Sequence, residues 1–264
     1  MPSSITADQL VAAFKRWGVP HRERSVNGVS WRNHHRPGSY GPIHGIVLHH
    51  TGDDAPDTAD FNVLWHGNIY VPGPLSTWGT DDEGVVHLIG HGRSNHAGRG
   101  SSATLAAVRA ESYGNYPPTG PDDIDGNTFY LGDETMYSGR QQMTPKAYAS
   151  TVKAFAAVCE FFKWNAKHAI GHKEHTKRKI DPGSLDMAVF RRDLQAALNR
   201  GPTATPVEEI INMELTDRVT LTDGDRKLWG TTSEYFTVAQ ILRSYNARLF
   251  EVRALLTQIR DQGA

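Results

Sequence analysis

The run Ile43-His-Gly-Ile-Val-Leu-His-His50 constrains this chain most, because a short β-branched apolar stretch that empties into Thr51-Gly-Asp-Asp reads as a buried strand entering a loop. Two histidines therefore arrive together at a strand end, where functional side chains tend to gather. Successive strand residues point to opposite faces, so His49 and His50 cannot both enter one site, and the strand alone does not choose between them.

Around this strand the sequence predicts strands and helices in alternation. Leu10, Val11, Phe14 and Trp17 stand at helical spacing behind Thr6, which can cap, and Gly18-Val-Pro closes the run. Arg22 to Tyr40 is polar and rich in turn formers. Leu75 to Ile89 resembles a hairpin turning at Asp81-Asp-Glu-Gly84, and Phe129-Tyr-Leu-Gly restores a strand. Between them, Arg99 to Asn127 is dense in Gly, Pro and Asp and is expected to be a long surface loop. Pro145 opens a helix over 146–163 with Tyr148, Val152, Phe155, Ala156, Cys159 and Phe162 along one face. His168 to His172 is strand-like, Lys173 to Gly183 a loop, and Leu185 to Leu198 a closing amphipathic helix. This gives a lead-in over 1–40, a main domain over 41–200, a Pro-containing linker over 201–209 and a small module over 210–264.

Composition then narrows the function. The 28 Lys+Arg nearly cancel 29 Asp+Glu, so no global field favours nucleic acid. No stretch approaches the ~18 apolar residues of a membrane span, and Met1-Pro-Ser-Ser-Ile lacks a basic region followed by an apolar one; synthesis in the cytoplasm without a signal peptide is expected. The single cysteine, Cys159, excludes an intrachain disulfide and reads as a buried thiol. Thirteen histidines direct attention to metal chemistry, and a catalytic zinc takes three protein ligands and leaves one position for water. The candidates are His49-His50, Asn95-His96-Ala-Gly98, and Gly171-His172-Lys-Glu-His175 running on to Asp181-Pro-Gly183. His-Glu-x-x-His and the Gly-x-x-x-x-Gly-Lys-Ser/Thr phosphate loop are both absent.

Taken in order, Ile-Val-Leu-His49-His-Thr, Asn95-His-Ala-Gly, Leu131-Gly-Asp-Glu134 and Gly171-His-Lys-Glu through Arg178-Lys-Ile-Asp-Pro-Gly183 resemble the zinc-dependent N-acetylmuramoyl-L-alanine amidases. That type 2 group takes in phage endolysins, muropeptide-recycling amidases and peptidoglycan recognition proteins. The likeness spans Gly41 to Arg200, is most diagnostic in Arg-Lys-x-Asp-Pro-Gly, and is greatest to endolysins of phages that infect actinobacteria. It implies an α/β fold with a central mixed β-sheet flanked by helices. It also implies one Zn2+ on His49, His172 and Asp181, and hydrolysis of the amide between N-acetylmuramic acid and L-alanine in bacterial peptidoglycan, for host lysis. By the same likeness Glu134 shuttles the proton, Lys179 stabilises the oxyanion, and Asn95 and His96 lie along the substrate groove. The alternatives are a solvated acid at Glu134, a solvated basic loop at Lys179, a His96 that packs the hairpin, and His175 as ligand or helper. At the level of the whole protein they are a non-catalytic peptidoglycan-binding module and a zinc peptidase acting on the stem peptide. Asp133 departs from the family's usual Gly-Ile-Glu and is expected either at an exposed strand end or against a cation such as Lys179.

Beyond the linker, Ile211, Met213, Leu215, Val219 and Leu221 allow one or two short strands, and a helix is expected from Thr237. Val238, Leu242, Tyr245, Leu249, Val252, Leu256 and Ile259 alternate steps of four and three, the period of a coiled-coil seam. A homo-oligomer formed through residues 237–260 is therefore expected, with packing on the module's own strands as the alternative and cell-wall binding as a further role.

Overall fold

The computed structural model describes residues 2–53, 58–112, 120–202, 218–220 and 235–237. The chain divides into two units, Met1–Ala204 and Thr205–Ala264. The first unit begins with α1 (Ala7–Arg16), β1 (His21–Glu23), a hairpin of β2 (Ser25–Val26) and β3 (Val29–Ser30), β4 (Gly45–His50) and α2 (Thr58–His66). Next come β5 (Trp78–Thr80), β6 (Val86–Leu88), β7 (Arg99–Ser101), α3 (Ser102–Arg109), β8 (Asp122–Asp125) and β9 (Tyr130–Thr135). Helix α4 (Pro145–Phe162), β10 (Ala169–Gly171), α5 (His172–His175) and α6 (Met187–Arg200) complete it.

Helix ends follow local chemistry. Thr6 and Gln9 form a reciprocal capping box on α1. Thr144 caps α4 with Pro145 in its first turn, and the left-handed Lys163 ends it. Asp186 accepts from the amides of Ala188 and Val189 to start α6.

Six strands form one mixed sheet in the order β1-β6-β5-β9-β4-β10, in which β5 and β6 alone are antiparallel. Alternation along β4 and β9 separates two cores. Ile46, Leu48 and Leu131 join the larger one with Leu10 and Phe14 of α1, Phe155 of α4 and Phe190 of α6. Val47, Tyr130 and Ile170 join the smaller one with Leu105 and Val108 of α3. His49 therefore continues the face of Val47, and Glu134 the face of Tyr130.

The structure corrects three expectations. The polar stretch from Arg22 to Tyr40 holds strands, with β1 forming the sheet edge beside β6. Arg99 to Asn127 is not a loop throughout: β7 pairs antiparallel with β8, and α3 lies between them behind a Ser101 cap. Two of its glycines serve close packing, because a Cβ on Gly100 or Gly126 would stand 2.1 or 2.4 Å from His175 Nε2. Thirdly, Thr237 ends a strand: β11 (Arg218–Thr220) pairs antiparallel with β12 (Tyr235–Thr237) in the second unit. The rest of the expected helix, 238–260, and linker residues 203–209 lie outside the described residues. Among the described residues no helix is long and apolar enough to cross a membrane.

Candidate metal centre

Three elements deliver one donor set. The end of β4 brings His49, the step from β10 into α5 brings His172, and the following loop brings Asp181. All three are buried, and their ligand atoms lie within 4.8 Å of one another. Asp181 Oδ2 stands 2.8 Å from His49 Nδ1 and 2.9 Å from His172 Nδ1. The loop is tied to the helix next to its ligand: the Lys173 amide donates to the Asp181 carbonyl at 2.8 Å, and the Lys173 ammonium to the carbonyls of Gly183 and Leu185. Arg178 anchors the loop's outer side on the Asp122 carboxylate and the Arg99 carbonyl.

The far nitrogens of the two rings decide what the near ones can do. A backbone carbonyl only accepts, so His96 Nε2, 3.1 Å from the Tyr130 carbonyl, must carry the hydrogen there. The neutral His96 ring then accepts at Nδ1, and His49 Nε2 donates to it at 3.1 Å. Likewise His172 Nε2 donates to the Ala97 carbonyl at 3.0 Å. Burial, then the charge of His172, pushes His49 down to about 4, and burial, then His49, holds His96 well below its ordinary value, so both are neutral near pH 7. Each ring thus turns its Nδ1 toward the Asp181 carboxylate, with its Nε2 held by His96 or by the Ala97 carbonyl. Two imidazole nitrogens and one carboxylate oxygen converging in this way form a donor set that fits a metal such as zinc.

Glu134 lies beside this group, its Oε1 3.9 Å from His49 Nδ1 and 15% of its side chain exposed. Burial, then the charges of Asp181 and Asp133, raises its carboxyl well above the ordinary range, while Lys179 lowers it. Lys179 is exposed on the loop, close enough for its charge to act on both Glu134 and His49. Asp133 departs from both expectations: it is fully buried, with hydroxyl donors Thr80 and Thr135 each at 3.1 Å. Strand alternation sends it to the face opposite Glu134, and burial raises its carboxyl to about 7.

Of the two groove residues expected from the sequence, His96 touches the donor set and Asn95 contacts the loop at Pro72. The Asn95 amide donates to the Pro72 carbonyl at 2.8 Å, and both nitrogens of His96 are taken by His49 and Tyr130. Gly132 makes room for that arrangement, since a Cβ there would stand 2.6 Å from the His96 ring. Asn127 went unnoticed in the sequence; its side-chain carbonyl accepts from the amides of His96, Ala97 and Gly98 and so fixes both ring-orienting groups. His175 shares α5 with His172, yet its ring is buried against Gly100, Gly126 and Tyr130, and it lies outside the donor set. His50 packs on Tyr137 and opens with Glu134 onto a cleft of about 560 Å³ whose lining includes Asp60, Val63, Asn68 and Arg140.

A buried His-His-Asp group that could hold one metal ion lies beyond the carboxyl ends of parallel strands in an α/β fold, with a second acid, Glu134, lining the adjacent cleft. The chain belongs to the N-acetylmuramoyl-L-alanine amidase family (Amidase_2), whose profile matches residues 39–184. Among solved structures it is similar to the N-acetylmuramoyl-L-alanine amidase LysC from Clostridium intestinale URNW, at 14% identity and a TM-score of 0.40 over 58% of this chain and 85% of that one. It is also similar to the amidase AmiD from E. coli, solved with anhydro-N-acetylmuramic acid-L-Ala-D-gamma-Glu-L-Lys, at 14% identity and a TM-score of 0.43 over 82% of this chain and 80% of that one. No curated protein matches the sequence.

Proposed function

We propose that this protein is a zinc-dependent N-acetylmuramoyl-L-alanine amidase that cleaves the bond between the lactyl group of N-acetylmuramic acid and L-alanine in bacterial peptidoglycan, as a phage endolysin does in lysing its host. The observation that carries the reading is the convergence of the His49 and His172 Nδ1 atoms on the Asp181 carboxylate beside Glu134, in a chain of this family. The endolysin role is supported by the sequence's resemblance, within the family, to endolysins of phages that infect actinobacteria.

His49, His172 and Asp181 would hold the zinc, which when bound supplies an acidified water and a polarised substrate carbonyl. Glu134, raised in its affinity for a proton and open to the cleft, takes the proton from the attacking water and returns it to the leaving amine of L-alanine. Lys179 contributes a positive charge at the rim, where negative charge develops on the carbonyl oxygen. Intact Asp181 favours an enzyme over a binding module that lacks a third ligand.

Purified cell wall provides the test. Digestion should release peptides with new L-alanine N-termini and no new reducing sugar ends, and the protein should contain about one zinc. Glu134→Gln should keep that zinc and lower turnover by roughly 10²–10⁴, whereas Asp181→Ala should lose both. A zinc-free protein that remains inactive when zinc is added would overturn the reading.

A further inference from the structure

We infer that the buried pair Glu174–Arg191, outside the donor set, positions His172 for the metal; this rests on His172 being a metal ligand, as proposed above. The pair spans the junction that carries His172. Arg191, on α6, donates through Nη1 to Glu174 Oε2 at 2.9 Å and through Nη2 to Glu174 Oε1 at 2.9 Å, a two-pronged fork. The same Nη1 reaches back to the carbonyl of Ala169, the first residue of β10, at 3.1 Å. Glu174 Oε2 in turn accepts from the Gly171 amide at 2.9 Å, immediately before His172. Thr104 of α3 adds a hydroxyl on the Glu174 carbonyl at 3.1 Å. The guanidinium and carboxylate thus bracket Ala169 to Glu174, fixing where the strand stops and at what angle the four-residue α5 departs.

Both side chains are more than nine-tenths buried. A buried ion pair is a poor source of fold stability, because the loss of water around two charges offsets their attraction, and well-packed apolar residues commonly replace such pairs at no net cost. Direction is what an apolar replacement does not supply. A fork sets the carboxylate plane, the carboxylate sets the Gly171 amide, and the next residue presents Nδ1 to Asp181 at 2.9 Å. Groups that orient metal ligands in this way alter metal affinity by roughly 10–100-fold when lost.

The experiment compares the full chain with Arg191→Lys, which keeps the charge and loses the fork, and with the double variant Glu174→Leu/Arg191→Met, which removes both charges. The zinc dissociation constant is measured by competition with a chromophoric chelator, the visible spectrum with cobalt(II) in place of zinc, and the unfolding midpoint on the metal-free chain. Expected are a cooperative unfolding transition of the metal-free chain in both variants, zinc binding weakened by roughly 10–100-fold, and an altered cobalt(II) spectrum in both. A folded double variant with the parent's zinc affinity and cobalt(II) spectrum overturns the inference. Should the double variant not fold, Arg191→Lys decides alone, and unchanged affinity there overturns it equally. A parent that binds no zinc, or a His172→Ala variant that binds it as the parent does, overturns the metal reading and this inference with it. Normal zinc binding by the parent and by both variants overturns the positioning role and leaves the metal reading standing.

Discussion

Each residue of the centre depends on a neighbour that fixes its hydrogens. His96 is the link between the Tyr130 carbonyl and His49, so His96→Ala strands a buried N–H on His49 and releases its ring orientation. Zinc affinity should fall by roughly 10–100-fold with the fold retained, as read by chelator competition; parent-like affinity would show that strand β4 alone orients His49. Asp133 makes a different prediction, in stability. Unfolded, an aspartate titrates near ~3.9; folded, this one titrates near about 7, because burial disfavours its charge. Between those values the folded chain holds the extra proton, so the contribution of Asp133 to stability is greatest below the unfolded value and is lost as pH rises through the folded one. Asp133→Asn keeps the shape and removes the titration. Its stability gain over the parent should exceed the gain at pH 5 by about 3 kcal/mol at pH 8; denaturant curves at the two pH values measure this, and equal gains would mean that Asp133 stays charged in the core.

At the scale of elements, close packing between α5 and the β7–β8 pair leaves no room for added side-chain atoms. Gly126→Ala would push a Cβ to 2.4 Å from His175 Nε2, so either the ring or β8 must move. A loss of about 1–3 kcal/mol is expected and should appear in the unfolding midpoint, with no loss if His175 simply rotates away. This packing was hidden in the sequence for a physical reason: Gly100 and Gly126 look like loop glycines, and only a ring arriving from Gly171-His172-Lys-Glu-His175 shows why a side chain is excluded. Helix α3 was masked in the same way, its Leu105 and Val108 preceded by Gly98 and Gly100 and followed by Gly114, Pro117 and Pro118. Strand β4, the β5–β6 hairpin and α4 were legible because hydrophobic period, turn residues and caps agreed in each. The His49 face followed from strand alternation and the family resemblance together, while the partners of Asp133 did not, since Thr80 approaches from another strand. His96 stood out in the sequence as a candidate for the groove, but its contact with His49 did not, because the orienting carbonyl of Tyr130 lies on β9.

At the scale of the whole molecule, the donor set, the cleft and both hydrophobic cores found among the described residues lie in the first unit. The sequence of the second unit suggests a different task. Its 4-3 spacing from Val238 to Ile259 suits a partner helix, and a segment of about 60 residues has a thin core that association would supplement. We propose that this segment joins copies of the chain, which would hold several cleaving units on an immobile polymer and lower the chance that all release at once. The full chain should then be a dimer or larger by light scattering at micromolar concentration, and a chain ending at Ala204 should be monomeric. The shortened chain should cleave a small muropeptide at the parent's rate per site and lose activity on intact wall, since linkage matters only where several bonds lie within reach. Monomers in both cases would remove the oligomer, and equal loss on both substrates would instead place part of the catalytic machinery in the second unit.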